Sequence, residues 1–353
     1  MESEGRIGKA KRADMTGADF DGPGIDRRRV MAGSLAALAS VVALTQPARA
    51  SSPAAARPDP ARPIPAQWDA APSMKLWPDG PPTGGFAPIP LPMADAPPVF
   101  LHNVAQPYLK VFRPARSNGR AVLAMPGGAY IFVSIDNEGA ELAQALTARG
   151  YTVFVLVYRL PGEGWAGRAD VPLQDAQRAM RLIRASARDH DYDPARIAAI
   201  GFSAGGHLAA SLATDFAQPL FAPRDALDRL DARPFVTGLI YPVISMSAPI
   251  THADSALRLL GPKPGDALVA RRSPAAHVGP DTPPTFIMHA LDDPAVPPEN
   301  SFEMLQALRV AQRPVEAHFF EEGGHGFGLG DPALPARGWL DLWTAFVDRH
   351  AAA

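Results

Sequence analysis

Three separated stretches of this 353-residue chain carry side chains that could act on one another. The first, Ile197-Ala198-Ala199-Ile200-Gly201-Phe202-Ser203-Ala204-Gly205-Gly206-His207, reads as a buried strand, a Gly-x-Ser-x-Gly turn and the start of a helix. Gly201 and Gly205 lack Cβ atoms, so strand and helix can close around a strained turn that leaves the Ser203 hydroxyl exposed. A serine hydroxyl becomes a nucleophile when a base takes its proton, and an imidazole oriented by a carboxylate is suited to that work. His325 is the candidate base, on the glycine loop Glu321-Glu322-Gly323-Gly324-His325-Gly326-Phe327 that follows the alternating run Val315 to Phe320. Other histidines are worse placed: His102 in the N-terminal segment, His190 near a helix end, His207 inside the helix after Ser203. For the acid, two residues compete. Asp292 and Asp293 share the turn Ala290-Leu291-Asp292-Asp293-Pro294-Ala295-Val296-Pro297 after the strand-like Pro284 to His289, and either could fix the imidazole tautomer. These parts describe acyl transfer through a covalent serine, chemistry that calls for no metal and no organic cofactor.

Such a reaction also needs N–H donors aimed at the negative charge that develops on the acyl oxygen. Met125-Pro126-Gly127-Gly128-Ala129-Tyr130 follows the apolar run Ala121 to Met125 and precedes a helical stretch around Glu138 to Arg149. Gly127, Gly128 and Ala204, the residue after the nucleophile, are the candidate donors. The absence of G-x-G-x-x-G or Walker spacing argues against a phosphate-binding loop.

The elements that must position these groups can be read along the chain. Strand-like segments fall at Tyr108 to Phe112, Ala121 to Met125, Thr152 to Tyr158, Arg196 to Ile200, Phe235 to Tyr241, Thr285 to His289 and Val315 to Phe320, with helical patterns between them. Asp175 to Arg188 shows the helical period best. Ala176, Ala179, Met180, Ile183 and Ala187 form an apolar stripe, and Arg178, Arg181, Arg184 and Arg188 are expected to face solvent. This alternation predicts the α/β class, with a mostly parallel central sheet flanked by helices.

Taken together, Met125 to Tyr130, Tyr158-Arg159-Leu160-Pro161, Asp175-Ala176-Gln177-Arg178-Ala179-Met180-Arg181, Gly201 to Leu208 and Gly323 to Phe327 resemble the α/β-hydrolase esterases of the acetyl-xylan-esterase and hormone-sensitive-lipase-like group. The similarity runs from about Leu76 to the C-terminus. It implies an α/β-hydrolase fold and a carboxylic-ester hydrolase, many relatives of which remove acetyl groups from polysaccharides such as xylan. The substrate would be a small-molecule or oligosaccharide ester. The resemblance carries over Ser203, Asp293 and His325 as catalytic residues, with Asp293 preferred because the acid of related hydrolases stands three residues before a Val-Pro pair, here Val296-Pro297. It also carries over Gly127, Gly128 and Ala204 as the oxyanion hole. Pro126 and Ala129 stand where the family pattern has a histidine and a third glycine. Tyr130, and Trp165 in the loop Pro161 to Gly167, are expected to line the substrate site, since glycine-rich loops at strand carboxyl ends overhang the site in this architecture. Other readings are a general small-ester esterase or a peptidase-like serine hydrolase. A glycosidase would need two carboxylates flanking the sugar bond, whereas this constellation is serine-based.

The first fifty residues read differently. Arg27-Arg28-Arg29-Val30-Met31 resembles a twin-arginine motif, followed by the apolar run Met31 to Leu44 and the small-x-small sequence Ala48-Arg49-Ala50. The expectation is a precursor handled by the twin-arginine export machinery, cleaved after Ala50 and delivered to the periplasm or secreted. The apolar run is too short for a stable membrane span. Residues 51–100 are rich in Pro and Ala and read as a linker and strap, docked through Leu76 and Trp77, with the catalytic domain at 101–353. Residues 1–50 hold eight of the 34 Lys/Arg and six of the 36 Asp/Glu, which leaves a net charge near −4 beyond them. That is not a nucleic-acid-binding profile. With no cysteine, the chain has no disulfide and no thiolate metal site.

Overall fold

Runs of β-branched and aliphatic residues become the interior of one large sheet. The computed structural model describes residues 61–352, so the proposed export signal lies outside the described residues. Ten strands are present there: β1 (Ser73–Lys75), β2 (Phe100–Leu101), β3 (Tyr108–Phe112), β4 (Gly119–Met125), β5 (Val133–Ser134), β6 (Thr152–Val157), β7 (Tyr192–Phe202), β8 (Thr237–Ile240), β9 (Thr285–Ala290) and β10 (Val315–Phe320). Eight form a sheet in the order β1-β3-β6-β4-β7-β8-β9-β10, while β2 pairs with β5 alone. From β6 to β10 the pairings are parallel, and β3 adds antiparallel to β6 and β1 antiparallel to β3. Parallel strands are covered on both faces, and every residue of β6, β8 and β9 is buried. The cover comes from α1 (Ala66–Ala70), α2 (Leu142–Thr147), α3 (Val171–Ala185), α4 (Ser203–Asp215), α5 (Ala253–Leu260), α6 (Asp266–Arg271), α7 (Glu299–Val310) and α8 (Trp339–Ala351). All seven strands expected from the sequence are found. β1, β2 and β5, two or three residues each, are too short to show a period.

Helix α3 corrects one expectation. Its apolar stripe is buried as read, but the arginine side is not a solvated face. Arg178 is 2% exposed, reaching Asp225 at 2.7 Å and Asp228 at 2.9 Å and donating through Nε to the Leu76 carbonyl at 3.0 Å. Nε of Arg181 and of Arg184 donate to the carbonyls of Leu230 and Asp231, each at 2.9 Å. Residues 220–233, which hold only a short 3-10 turn, fold over α3, and guanidinium donors satisfy backbone carbonyls that have no ladder partner. Arg188 alone of the four stays exposed.

The described part of the strap, residues 61–100, docks through Leu76 and Trp77, both buried in the core. β1 extends the main sheet, and Trp77 Nε1 donates to Asp175 at 2.8 Å. Asp175 is also held by Arg159, through Nε at 2.9 Å and Nη2 at 2.8 Å, with both side chains fully buried. Taking an ion pair out of water is tolerable only when its remaining donors and acceptors are met. Thr83 and Trp77 of the strap, with Gln174 of α3, meet them.

Candidate active site

Strand register places the carboxyl ends of five strands on one rim. Met125 of β4 stands beside Gly201 of β7, Phe202 beside Ile240 of β8, Ile240 beside Met288 of β9, and Ala290 beside Phe320 of β10. The residues just beyond those ends are Pro126 to Tyr130, Ser203, Tyr241, Asp292-Asp293 and Gly323 to His325. This is the edge where open α/β sheets gather functional groups.

The turn from β7 into α4 is as tight as the glycines suggested. A Cβ on Gly205 would lie 2.1 Å from the Met125 carbonyl oxygen, and one on Gly201 would lie 2.1 Å from that of Gly205. Ser203 itself holds φ of +52°, a left-handed conformation that costs a non-glycine residue free energy and that the packed turn imposes. Its side chain is thereby carried at the first residue of α4.

From Ser203 a chain of hydrogen bonds runs to a buried carboxylate. Ser203 Oγ stands 2.9 Å from His325 Nε2, and His325 Nδ1 stands 2.6 Å from Asp293 Oδ2. The two competing acids separate cleanly. Asp292 Oδ1 accepts the Gly324 N–H at 2.8 Å and shapes the histidine loop, while Asp293 holds the imidazole. Burial alone would push the Asp293 carboxyl up, but hydrogen bonds from His289 and His325 and from the Val296 N–H hold it well below the usual carboxylate range. With Asp293 ionised, Nδ1 of His325 carries the proton and Nε2 is free to accept one from Ser203.

His289, on β9, completes the carboxylate's surroundings. Its Nε2 lies 3.2 Å from Asp293 Oδ2 and 3.0 Å from the Val296 carbonyl. A carbonyl only accepts, so Nε2 carries the hydrogen and Nδ1 takes the Ser301 hydroxyl at 2.7 Å.

The loop after β4 corrects the expected donor set. The Gly127 N–H donates to Glu138 Oε2 at 2.6 Å and is not available to an oxyanion. No hydrogen bond within the described residues takes the N–H of Gly128. Gly128 and Ala204 therefore remain as candidate donors. A Cβ on Gly128, at φ of +126°, would lie 2.2 Å from the Phe132 carbonyl oxygen, so glycine is required there.

Neither aromatic residue expected to line the site does so. Tyr130 is 1% exposed, and its hydroxyl donates to Nδ1 of His207 at 2.8 Å. His207 Nε2 in turn donates to the Arg272 carbonyl at 2.7 Å, and burial pushes the imidazole down to about 4, so it is neutral at ordinary pH. Tyr130 thus bolts the loop to α4. Trp165 is buried between the Phe86 ring, 5.3 Å away by centroid, and the Arg159 guanidinium, 5.0 Å above its ring. It packs the strap against the loop after β6. Sequence reasoning missed Glu138, Tyr241 and His289. His289 alone left a signal, a polar residue within the apolar run Phe286 to Ala290.

The profile of the BD-FAE family matches residues 109–308, more than half of the chain. An acetylxylan esterase of Xylanibacter ruminicola is 32% identical over 226 residues, covering 62% of this chain and 43% of that protein. A protein named endo-1,4-beta-xylanase B from Butyrivibrio fibrisolvens is 36% identical over 210 residues, covering 60% and 33%. The chain thus spans less than half the length of these curated relatives. Among solved structures, an acetyl ester-xyloside bifunctional hydrolase from Caldicellulosiruptor lactoaceticus superposes with a TM-score of 0.63 at 33% identity, covering 76% of this chain and 97% of that one. The carboxylesterase Cest-2923 from Lactobacillus plantarum gives a TM-score of 0.59 at 26% identity, covering 70% and 94%. The sheet order, the rim of loops and these likenesses identify the α/β-hydrolase fold, and the chain belongs to the BD-FAE family.

Proposed function

We propose that this protein is a serine carboxylic-ester hydrolase that removes acetyl groups from a carbohydrate such as acetylated xylan. The observation that carries the reading is the unbroken hydrogen-bond chain Asp293–His325–Ser203 at the carboxyl rim of the sheet. His325 Nε2 takes the Ser203 proton as Oγ bonds to the ester carbonyl carbon, and the N–H groups of Gly128 and Ala204 hold the oxyanion. Collapse breaks the bond to the alcohol, which leaves with the proton from His325. Water then gives a proton to His325 and attacks the acyl-serine, releasing the acid and returning the hydroxyl. The acetyl group and the sugar rest on likeness to the relatives named above. We also read the chain as exported by the twin-arginine route, on Arg27 to Arg29 and the Ala48-Arg49-Ala50 boundary.

The test is acetate release from acetylated xylan, run beside acetyl and longer-chain nitrophenyl esters, with Ser203→Ala as control. Acetate released by the wild type and abolished in the variant is the expected result. Activity confined to nitrophenyl esters would leave an esterase of another substrate, and a wild type inert on every ester would overturn the reading. Export is checked by the N-terminal sequence of the protein recovered outside the cytoplasm, which should begin at Ser51.

A further inference from the structure

The loop that carries Gly127 and Gly128 and the loop that carries the base leave different strands, β4 and β10. The buried Glu138 carboxylate joins them through Tyr241, beside a direct bond from Asn137 Nδ2 to the Gly326 carbonyl at 2.8 Å. Glu138 is 3% exposed and lies in a π-helical turn, Asp136–Glu141, a distortion often retained where a side chain has a task. Its Oε2 accepts the Gly127 N–H at 2.6 Å, and its Oε1 accepts the Tyr241 hydroxyl at 2.8 Å. Tyr241 is fully buried just past β8, and its hydroxyl oxygen also accepts the Gly328 N–H at 3.0 Å, three residues beyond His325. The Tyr241 ring lies edge-on to His325 at 5.0 Å and to Phe327 at 4.6 Å. Position 127 has no room for a side chain. A Cβ there would meet the Ser203 Cβ at 2.9 Å and the Phe202 carbonyl oxygen at 2.8 Å.

We infer that Glu138, with Tyr241, is a clamp that sets the distance between the oxyanion loop and the histidine loop. It is a positioning pair, since neither side chain is placed to touch the reacting atoms. The inference rests on the ester-hydrolase reading. Two donors from opposite sides of the site converge on one group, and a carboxylate offers an acceptor oxygen to each, whereas an amide offers one. Burying a carboxylate is costly unless it is so engaged, and burial does raise the Glu138 carboxyl, against the opposing pull of Gly127, Tyr241 and His325. Loss of the clamp lets Gly127 shift, and Gly128, the next residue, shifts with it. Catalysis depends on donor placement to a fraction of an ångström, so kcat should suffer more than KM.

The experiment compares wild type, Glu138→Gln, Glu138→Ala and Tyr241→Phe, full chain in each case, in two assays: the rate at which a fluorophosphonate probe labels Ser203, and kcat and KM for nitrophenyl acetate. The expected result is roughly a tenfold or greater loss in labelling rate and kcat for Glu138→Ala, with a smaller loss for Glu138→Gln and KM little changed. Tyr241→Phe and Glu138→Gln keep the packed volume, so they carry the test if the alanine variant fails to fold. Variants that melt like the wild type and label at its rate would overturn the clamp and leave the ester-hydrolase reading standing. A wild type that labels but cleaves no ester would overturn that reading, while the labelling ratios would still decide the clamp. A wild type that never labels would overturn both.

Discussion

His289 stands 3.2 Å from Asp293 Oδ2, the same oxygen that holds His325 at 2.6 Å. The carboxylate is therefore fixed from two sides, with the Ala295 and Val296 N–H groups on its other oxygen at 2.8 and 2.9 Å. His289→Ala should lower kcat roughly tenfold with little change in KM, because the oxygen that holds His325 loses its second donor and is less firmly placed. It should also lower stability at neutral pH, a deficit that brings acid unfolding on at a higher pH and closes only well below the ordinary carboxylate value. The folded Asp293 carboxyl lies below its ordinary value of 3.8, so its contribution is complete above that pH and is lost as pH falls toward the folded value. Removing a donor moves the folded value up and narrows that window. An acid-unfolding midpoint unchanged in the variant would count against this arrangement.

Asp292 and Asp293 are adjacent in sequence and separate in role. Asp293→Asn should cost about 10⁴ in kcat, since an amide cannot stabilise the imidazolium or hold its tautomer. Asp292→Asn keeps an oxygen for the Gly324 N–H and should stay within a few-fold of wild type. Single-turnover acylation rates of the two variants measure the difference. Equal losses would mean that the hydrogen bonds assign the pair wrongly.

Ser203 and His325, which the structure brings within 2.9 Å, could be picked out in the chain because their local signals are strong: a glycine-framed turn after an apolar strand, and a glycine loop after an alternating one. Local signal could not separate Asp292 from Asp293, since adjacent residues of one type carry the same one; the resemblance preferred Asp293 through the Val296-Pro297 spacing, and the structure places that carboxylate on His325. Glu138 and the bonding of Gly127 were illegible for a different reason, and His289 left only a polar break in an apolar run with no pointer to its partner. Each depends on a hydrogen bond to a distant segment, and single-residue periodicity holds no record of such a partner. The arginines of α3 failed in the same way. Their spacing is that of a solvated face, and residues 220–233, folded back over the helix, with Leu76 of the strap, turn that face inward.

Asp175 and Arg159 are a buried pair on which the strap depends. Asp175→Asn leaves a guanidinium out of water without its counter-charge and should destabilise the protein by about 3–5 kcal/mol. Arg159→Met combined with Asp175→Asn should cost less than the sum of the two changes, because no bare charge remains. Denaturant unfolding of the four proteins gives the coupling directly. Strict additivity would show that the pair acts as two independent residues.

Glu163 makes the same strap sensitive to pH. Its carboxylate is buried and accepts the N–H groups of Asn103 and of Val104, while the backbone nearby is joined by Ala87 N–H to the Glu163 carbonyl at 2.9 Å and Ala166 N–H to that of Gly84 at 2.9 Å. Burial pushes the carboxyl from 4.5 up to about 7, against the pull of those two N–H groups. Between these values the folded protein holds a proton that the unfolded chain has released. Stability therefore falls as pH rises through that window and is level above it. Glu163→Gln cannot titrate. The difference in melting temperature between wild type and variant should drift against the wild type from about pH 4.5 to about pH 7 and then stay constant. Other carboxylates titrate alike in both proteins and cancel in that difference. A difference independent of pH would show that Glu163 is ionised in the folded state throughout, and that the strap is held by backbone pairing and by the Asp175 pair alone.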